Sequence, residues 1–524
     1  MWRVNCIIKF VHTNKCRVRF PTERVRPYPC DLPLRFFPKR DLLWAVVLDY
    51  RRIVDMNKHS LSVLALGAVS GLQMSAQSYA VKPNVIYILC DDLGYGEVGF
   101  TGQQKIQTPE LDQLAHEGMI FTDHYCGNAV SAASRCVLMT GLHPGHALVR
   151  ANSPGYPDGQ LPLRENTETI AKLMQRAGYV TACIGKWGLG AYSNSGNPNE
   201  QGFDHFFGYT DQTKAHEYYP PYLWRNGEKV LLNQGPEKKD YSHDLFTQEA
   251  FQFVKKNAEQ PFFLYLAYTI PHIKYEVPDL AQYADKDWPE NMKIHAAMTS
   301  RMSKDVGRLV ALLRNLGLEE NTLIIFSSDN GAHGQMGSLE FFQTSGKLRD
   351  KKRSMYEGGV RTPTFAYWPG KVPAGATTDH VSAFWDVLPT LSELTGEPIR
   401  GNTDGVSFLP TLLGQKELQK KHKYLYWEIY ETKPRCAVRY DHWKGVVKDM
   451  RQGLKVELYD VDQDESEQTN LSAQYPEVVS AIQKMMEEAH TPNVYFDKSN
   501  KPLFNLKKAC EDNGVPVTER RKKK

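Results

Sequence analysis

Asn84-Val85-Ile86-Tyr87-Ile88-Leu89-Cys90 runs straight into Asp91-Asp92-Leu93-Gly94-Tyr95-Gly96. From Val85 onward the first seven residues are apolar or aromatic, β-prone and free of polar alternation, so the strand they form must be covered on both faces. Similar runs recur at 179–184, 262–268 and 322–326. Between them, residues 110–117, 170–177, 246–257 and 292–316 repeat their apolar positions at helical spacing, and a further helix at 384–394 leads into a Gly/Pro-rich stretch at 395–414. Buried strands alternating with helices predict an α/β sandwich around a largely parallel central sheet. Beyond Gly414 the pattern changes to short, closely spaced strands at 424–430, 436–440, 443–448 and 455–459, followed by an amphipathic helix at 477–488. This second pattern predicts a small C-terminal antiparallel sheet with one covering helix. The expected division is therefore 81–414 for the main α/β domain, 415–497 for an α+β subdomain and 498–524 for a tail. That tail ends in Arg520-Arg521-Lys522-Lys523-Lys524, which reads as a solvated, frayed end.

The 524 residues include 64 Lys+Arg and 60 Asp+Glu, with 41% hydrophobic residues, a composition that excludes disordered, collagenous and coiled-coil chains. The basic excess is local. Residues 1–80 hold thirteen Lys/Arg and five acids, so the remainder carries net charge −4, the wrong sign for a nucleic-acid binder. Within that basic stretch, Met56-Asn57-Lys58-His59 precedes the apolar run from Leu61 to Val69 and then small and polar residues up to Ala80. A short positive region, a brief apolar run and a small-residue zone make residues 56–80 a secretory signal peptide, too short to span a membrane stably. On that reading residues 1–55 are a spurious extension upstream of the true start, and the protein is periplasmic or secreted. Of nine cysteines, Cys90, Cys126, Cys136, Cys183, Cys436 and Cys510 follow the signal segment without zinc-like spacing, and read as small buried hydrophobes.

In an open α/β sheet, ligands bind beyond the carboxyl ends of the strands. One apolar strand ends in Asp91-Asp92 and another in Ser327-Ser328-Asp329-Asn330-Gly331. Adjacent carboxylates repel each other unless a cation balances them, and three carboxylates with an amide make an all-oxygen set suited to a hard cation such as Ca²⁺ or Mg²⁺. Either pair alone would be weak evidence, because an acid at a strand end is often a cap or a turn.

Further motifs join them. Ser131-Ala132-Ala133-Ser134-Arg135 is followed by Thr140-Gly141, and Gly178 to Gly190 reads Gly-Tyr-Val-Thr-Ala-Cys-Ile-Gly-Lys-Trp-Gly-Leu-Gly. Pro271-His272 and the stretch from Lys352 to Arg361 follow in order, and Glu457-Leu458-Tyr459-Asp460 precedes the last helix. Over roughly 84–490 the chain resembles the type I, formylglycine-dependent sulfatases of the alkaline phosphatase superfamily, in their serine form. The resemblance implies an alkaline-phosphatase-like fold and a hydrolase of sulfate esters. It implies that Ser131 is oxidised to Cα-formylglycine by a radical-SAM maturase before export. A divalent cation, commonly calcium, would be held by Asp91, Asp92, Asp329, Asn330 and the modified residue 131. Arg135 would orient residue 131, while Lys186, His272 and Lys352 would contact the sulfate ester. One oxygen of the hydrated aldehyde would attack sulfur, His272 would protonate the leaving oxygen, and the second hydroxyl would expel sulfate.

One position departs from the family pattern: the residue two after Lys186, commonly histidine, is Gly188. His333 and His143 are the nearby histidines that could contribute, although His143 reads better as a packing residue. The aromatic and polar stretch from His216 to Asn226 suits either a sugar-binding loop or a rigid structural one, with His216 and Arg225 as the sugar-contact candidates, His333 as a third substrate contact and Arg150 as a further residue facing the cleft. The expected substrate is a sulfated oligo- or polysaccharide, with marine galactan such as carrageenan as one guess. The rival readings are a phosphatase or phosphodiesterase using unmodified Ser131, and an inactive sulfated-sugar-binding protein.

Overall fold

The computed structural model describes residues 82–153, 156 and 160–515. The expected signal segment 56–80, the residues before it and the basic end at 520–524 lie outside these. The described residues belong to one compact unit, built around a ten-stranded sheet. From one edge to the other its order is β11 (Ala376–Thr378), β2 (Met119–Phe121), β10 (Thr364–Tyr367), β9 (Thr322–Ser328), β1 (Asn84–Cys90), β8 (Phe262–Ala267), β4 (Val180–Lys186), β5 (His205–Tyr209), β6 (Tyr222–Arg225) and β7 (Glu228–Leu231). Pairing is parallel except where β10 and β6 run against their neighbours. A two-stranded ladder, β3 (His124–Tyr125) with β12 (Ser382–Ala383), sits beside it.

The apolar run of β1 serves two cores at once. Val85, Tyr87 and Leu89 point to one face and pack with the helices Ser131–Thr140 and Val387–Thr395. Ile86, Ile88 and Cys90 point to the other face and pack with Ser242–Lys256 and Glu290–Asn315. Each such aliphatic side chain, fully removed from water, contributes about 1.5–3 kcal/mol, which is why the strand tolerates no polar alternation. This is the α/β sandwich that the strand pattern predicted.

The C-terminal residues form a four-stranded antiparallel sheet, β13 (Leu425–Tyr430), β14 (Pro434–Tyr440), β15 (Trp443–Val447) and β16 (Val456–Asp460). Here the period of two is functional. Leu425, Trp427 and Ile429 face the main core, whereas Tyr426, Cys436, Val438 and Leu458 face Ile482, Met485 and Met486 of the helix Pro476–Ala489. The sheet is thus sandwiched between its own helix and the large unit. The segment expected to fray behaves differently: Leu503, Phe504, Ala509 and Cys510 are buried in the main core, and Leu506–Asp512 is a helix. Its apolar residues are few but fall together, which composition alone concealed.

A second difference lies at 216–226. Rather than one loop, Tyr222–Arg225 is a strand that turns back through Asn226-Gly227 into β7. Both turn residues have positive φ (45° and 91°), the backbone of a two-residue hairpin turn, and the Asn-Gly dipeptide is the signal for it.

Candidate active site

Four adjacent parallel strands, β9, β1, β8 and β4, deliver chemistry at their carboxyl ends. β1 supplies Asp91 and Asp92, β9 supplies Asp329 and Asn330, Lys186 is the last residue of β4, and His272 follows β8 after a short loop. Cys90 and Ser328 are in register, so the two acidic pairs leave the sheet side by side. Ser131 opens the helix Ser131–Thr140, all of whose residues are buried. Asn152 Oδ1 accepts from Ala132 N at 3.2 Å, satisfying one of the free N–H groups of the first turn. Lys352 is fixed through its backbone, with its N–H on Ala332 O (3.0 Å) and that of Arg353 on Ala129 O (2.8 Å). The glycines of this region allow backbones to touch: a Cβ on Gly331 would lie 1.9 Å from Gly358 O.

The Ser131 hydroxyl lies 2.6 Å from Asp329 Oδ2 and 2.9 Å from Asp91 Oδ1, and its single proton can serve one of them at a time. Lys186 Nζ donates to Asp91 Oδ2 at 2.7 Å and approaches Ser131 Oγ at 3.3 Å. Arg135 Nη2 donates to Asp329 Oδ2 at 2.8 Å, while Nη1 donates to Lys186 O and Tyr265 OH. On the other side, Lys352 Nζ donates to both oxygens of Asp92 at 2.7 and 2.8 Å, and Asn330 Nδ2 donates to Asp92 Oδ1 at 2.7 Å. His272 turns Nδ1 to the Ile273 carbonyl, so that nitrogen carries the proton. Its Nε2 faces Lys352 Nζ at 3.5 Å and Asp92 Oδ2 at 3.2 Å. His216 stacks on His272 at 4.0 Å and 14°, and His333 meets it edge-on at 5.4 Å.

The charges balance unevenly. Burial alone would raise Asp91 and Asp92, yet Lys186 beside the first and Lys352 beside the second hold both carboxyls well below their usual range. Asp329 goes the other way, pushed up to about 6 by burial and by the negative charge of Asp91. Burial also lowers His272, and it lowers His216 to about 3, an effect that His272 adds to when it is protonated. His333 falls to about 4 for the same first reason.

This donor set fits a hard cation. Asp91, Asp92 and Asp329 offer oxygens within 4.8 Å of one another, all three residues are buried, and Asn330 Oδ1 is buried with no hydrogen-bond partner. A cation there would lower the Asp329 carboxyl into its ionised range and take up the stray amide oxygen.

The sulfatase family model matches residues 83–397, and the model of the N-sulphoglucosamine sulphohydrolase C-terminal region matches residues 348–492. The chain belongs to the sulfatase family. Human arylsulfatase A is 33% identical to this sulfatase over 399 residues, covering 69% of this chain and 73% of that protein. Human N-acetylgalactosamine-6-sulfatase is 29% identical over 408 residues, covering 73% and 76%. Among solved structures, Ps i-CgsB in complex with k-i-k-neocarrahexaose superimposes with TM-score 0.70 at 28% identity, covering 83% of this chain and 98% of that one. The fold of the sulfatase is accordingly the alkaline-phosphatase-like one that the family resemblance implied.

Of the residues singled out in the sequence, Asp91, Asp92, Ser131, Arg135, Lys186, His272, Asp329, Asn330 and Lys352 form one contiguous cluster, with His216 and His333 against His272. Arg225 is not part of it: its guanidinium is held by Glu249 at 2.6 Å and lies 4.6 Å over the Phe207 ring. Arg150 is buried on Glu428 and on the carbonyls of Gly145 and Ala147, and His143 stacks on His146, so both are packing residues. Gly188 is explained by Gln212. A Cβ at position 188 would lie 2.0 Å from Gln212 Nε2, and the glycine adopts φ of 72°. Neither Gln212 nor Tyr265 carries a linear signal, because each acts from another element.

Behind the cluster, a buried charge network ties the segment bearing Lys352 to the C-terminal sheet. Lys444 of β15, fully buried, donates to Glu357 Oε1 at 2.6 Å and lies 3.6 Å from Glu467 Oε1. Glu467 Oε2 accepts the Glu357 backbone N–H at 2.7 Å, and Arg361 pairs with Glu357 at 2.5 Å.

Proposed function

We propose that this sulfatase is an exported enzyme that hydrolyses sulfate esters of a sulfated glycan, with a carrageenan-type galactan as the leading candidate. The reading is carried by one observation: the Ser131 hydroxyl sits between Asp91 and Asp329 with Lys186 and Arg135 closing around it. The likeness to Ps i-CgsB, whose complex holds a neocarrahexaose, supports the galactan candidate. When present, Ca²⁺ on Asp91, Asp92, Asp329 and Asn330 would neutralise sulfuryl oxygens, and Cα-formylglycine at position 131, made by a radical-SAM maturase, would supply a second hydroxyl through which sulfate can leave.

The protein's own groups do the rest. Arg135, anchored on Asp329 and Tyr265, keeps residue 131 in one orientation. Lys186 and Lys352 bring two ammonium groups to the sulfuryl oxygens, where charge shifts in the transition state. His272 holds one proton on Nδ1 against Ile273 and leaves Nε2 to take up a second. The anionic ester favours that second proton, which His272 then hands to the departing sugar oxygen.

The test is to coexpress the chain with an anaerobic maturase, measure the mass of the tryptic peptide containing Ser131, and assay sulfate release from a panel of sulfated oligosaccharides. A peptide two hydrogens lighter, together with release that disappears in Ser131→Ala, supports the reading. Full activity with an unmodified serine sinks it.

A further inference from the structure

The β6–β7 hairpin extends the sheet beyond the catalytic strands and presents one face of mixed aromatic and cationic character. Tyr222 and Trp224 stand two apart on β6 and share that face, and register places Lys229 opposite Trp224 and Leu231 opposite Tyr222. Tyr222 and Trp224 meet edge-on at 5.9 Å, and Tyr192 packs on Trp224 at 5.2 Å. Lys229 Nζ lies 4.5 Å over the Tyr222 ring and 5.2 Å over Trp224, and Lys214 Nζ lies 4.9 Å over Tyr222 and donates to its hydroxyl. Among the described residues these two lysines lie over rings rather than in carboxylate ion pairs. Leu231, opposite Tyr222, is 66% exposed.

The face connects directly to the catalytic cluster. Lys214 and His216 belong to the same short 3-10 helix, and His216 stacks on His272. One element therefore carries a histidine on the catalytic imidazole at one end and a lysine on the aromatic face at the other.

We propose that this hairpin face is a binding subsite for the sulfated sugar units flanking the one being desulfated, so that the enzyme engages an oligosaccharide rather than a lone monosaccharide. The inference rests on the glycan-sulfatase reading. Aromatic rings offer apolar planes to the C–H faces of pyranose units, and ammonium groups held above those rings can swing to a sulfate without breaking a salt bridge. Both halves of the recognition are present, which a plain apolar docking face would lack.

The experiment compares wild type with Tyr222→Ala/Trp224→Ala and with Lys214→Ala/Lys229→Ala, using maturase-matured enzyme. Sulfate release is measured from a sulfated galactan hexasaccharide and from the corresponding sulfated monosaccharide, and retention in a gel containing the sulfated polysaccharide is recorded alongside. Each variant is expected to lose about tenfold in kcat/KM on the hexasaccharide, through KM, with the monosaccharide rate unchanged. Equal losses on both substrates, no loss on either, or retention that depends on the lysines alone overturns the proposal. So does sedimentation showing a wild-type dimer that these variants convert to monomer, since the face would then belong to a second copy. If neither substrate is turned over yet gel retention falls in both variants, the subsite stands and the catalytic reading is what fails.

Discussion

Replacing Lys444 by methionine removes the cation placed between the buried carboxylates of Glu357 and Glu467. Methionine roughly keeps the volume but leaves Glu357 to Arg361 and the Tyr125 hydroxyl, and Glu467 with only a backbone N–H as hydrogen-bond donor. Breaking a buried pair by removing one partner typically costs about 3–5 kcal/mol. With an unfolding entropy of about 2.1 cal/mol/K per residue, roughly 430 described residues correspond to about 0.9 kcal/mol/K, so a 4 kcal/mol loss lowers Tm by about 4 °C. The pH dependence has a definite sign. Burial, reinforced by the charge of Glu357, pushes the Glu467 carboxyl up to about 7, although Lys444 pulls it down. In the unfolded chain the same group titrates near 4.3. Between those values the folded state binds more protons, so stability falls as pH rises through that window. Without Lys444 the folded carboxyl rises further, and the deficit of the variant should be larger at pH 8 than at pH 6. Adding Glu467→Gln should recover a substantial part of it at pH 8. Calorimetry on the three proteins at both pH values checks this. An unchanged Tm, a deficit independent of pH, or no recovery in the double variant would refute the reasoning.

Three further outcomes can be measured independently. Dialysis against a chelator should abolish sulfate release and Ca²⁺ should restore it; Asn330→Ala should raise the Ca²⁺ needed for half-recovery by about tenfold or more, as loss of a ligand does. Arg225→Ala should leave kcat/KM within about twofold of wild type and cost at most about 1 kcal/mol in urea unfolding, because its pair with Glu249 is 44% exposed on the arginine side. Gly188→Ala should destabilise by about 1–2 kcal/mol through its positive φ and the contact with Gln212, and Gln212→Ala should relieve the contact while leaving the backbone term.

The central strands were legible because their burial leaves a plain mark. Strands with helices on both sides must be apolar along their buried length, and 85–90, 262–267 and 323–326 are. The outer strands β6 and β7 face solvent on part of their surface and carry Tyr, Trp, Lys and Arg, so they read as a polar loop until Asn226-Gly227 is recognised as a turn. The cluster itself was legible because its carboxylates sit at strand ends, a position that topology fixes. Arg225 misled for a physical reason: an arginine next to aromatics looks like a sugar contact, but its pairing with Glu249 depends on a helix distant in sequence.

The same distinction governs position 188. A glycine two residues after Lys186 looks from the sequence like a lost functional group, and the reasoning stops there. In three dimensions it is one half of a fit, because Gln212 Nε2 fills the space a side chain would enter and donates to Gly188 O at 3.3 Å. Gln212 begins the segment that carries Lys214 and His216, so the side chain occupying that space belongs to the element that brings His216 onto His272. A histidine at 188 would displace Gln212 and with it the placement of His216. The two arrangements are therefore alternatives, and restoring the histidine by Gly188→His should lower activity unless the 212–216 segment is altered with it. A gain in sulfate release from Gly188→His alone would show that the segment is indifferent to Gln212.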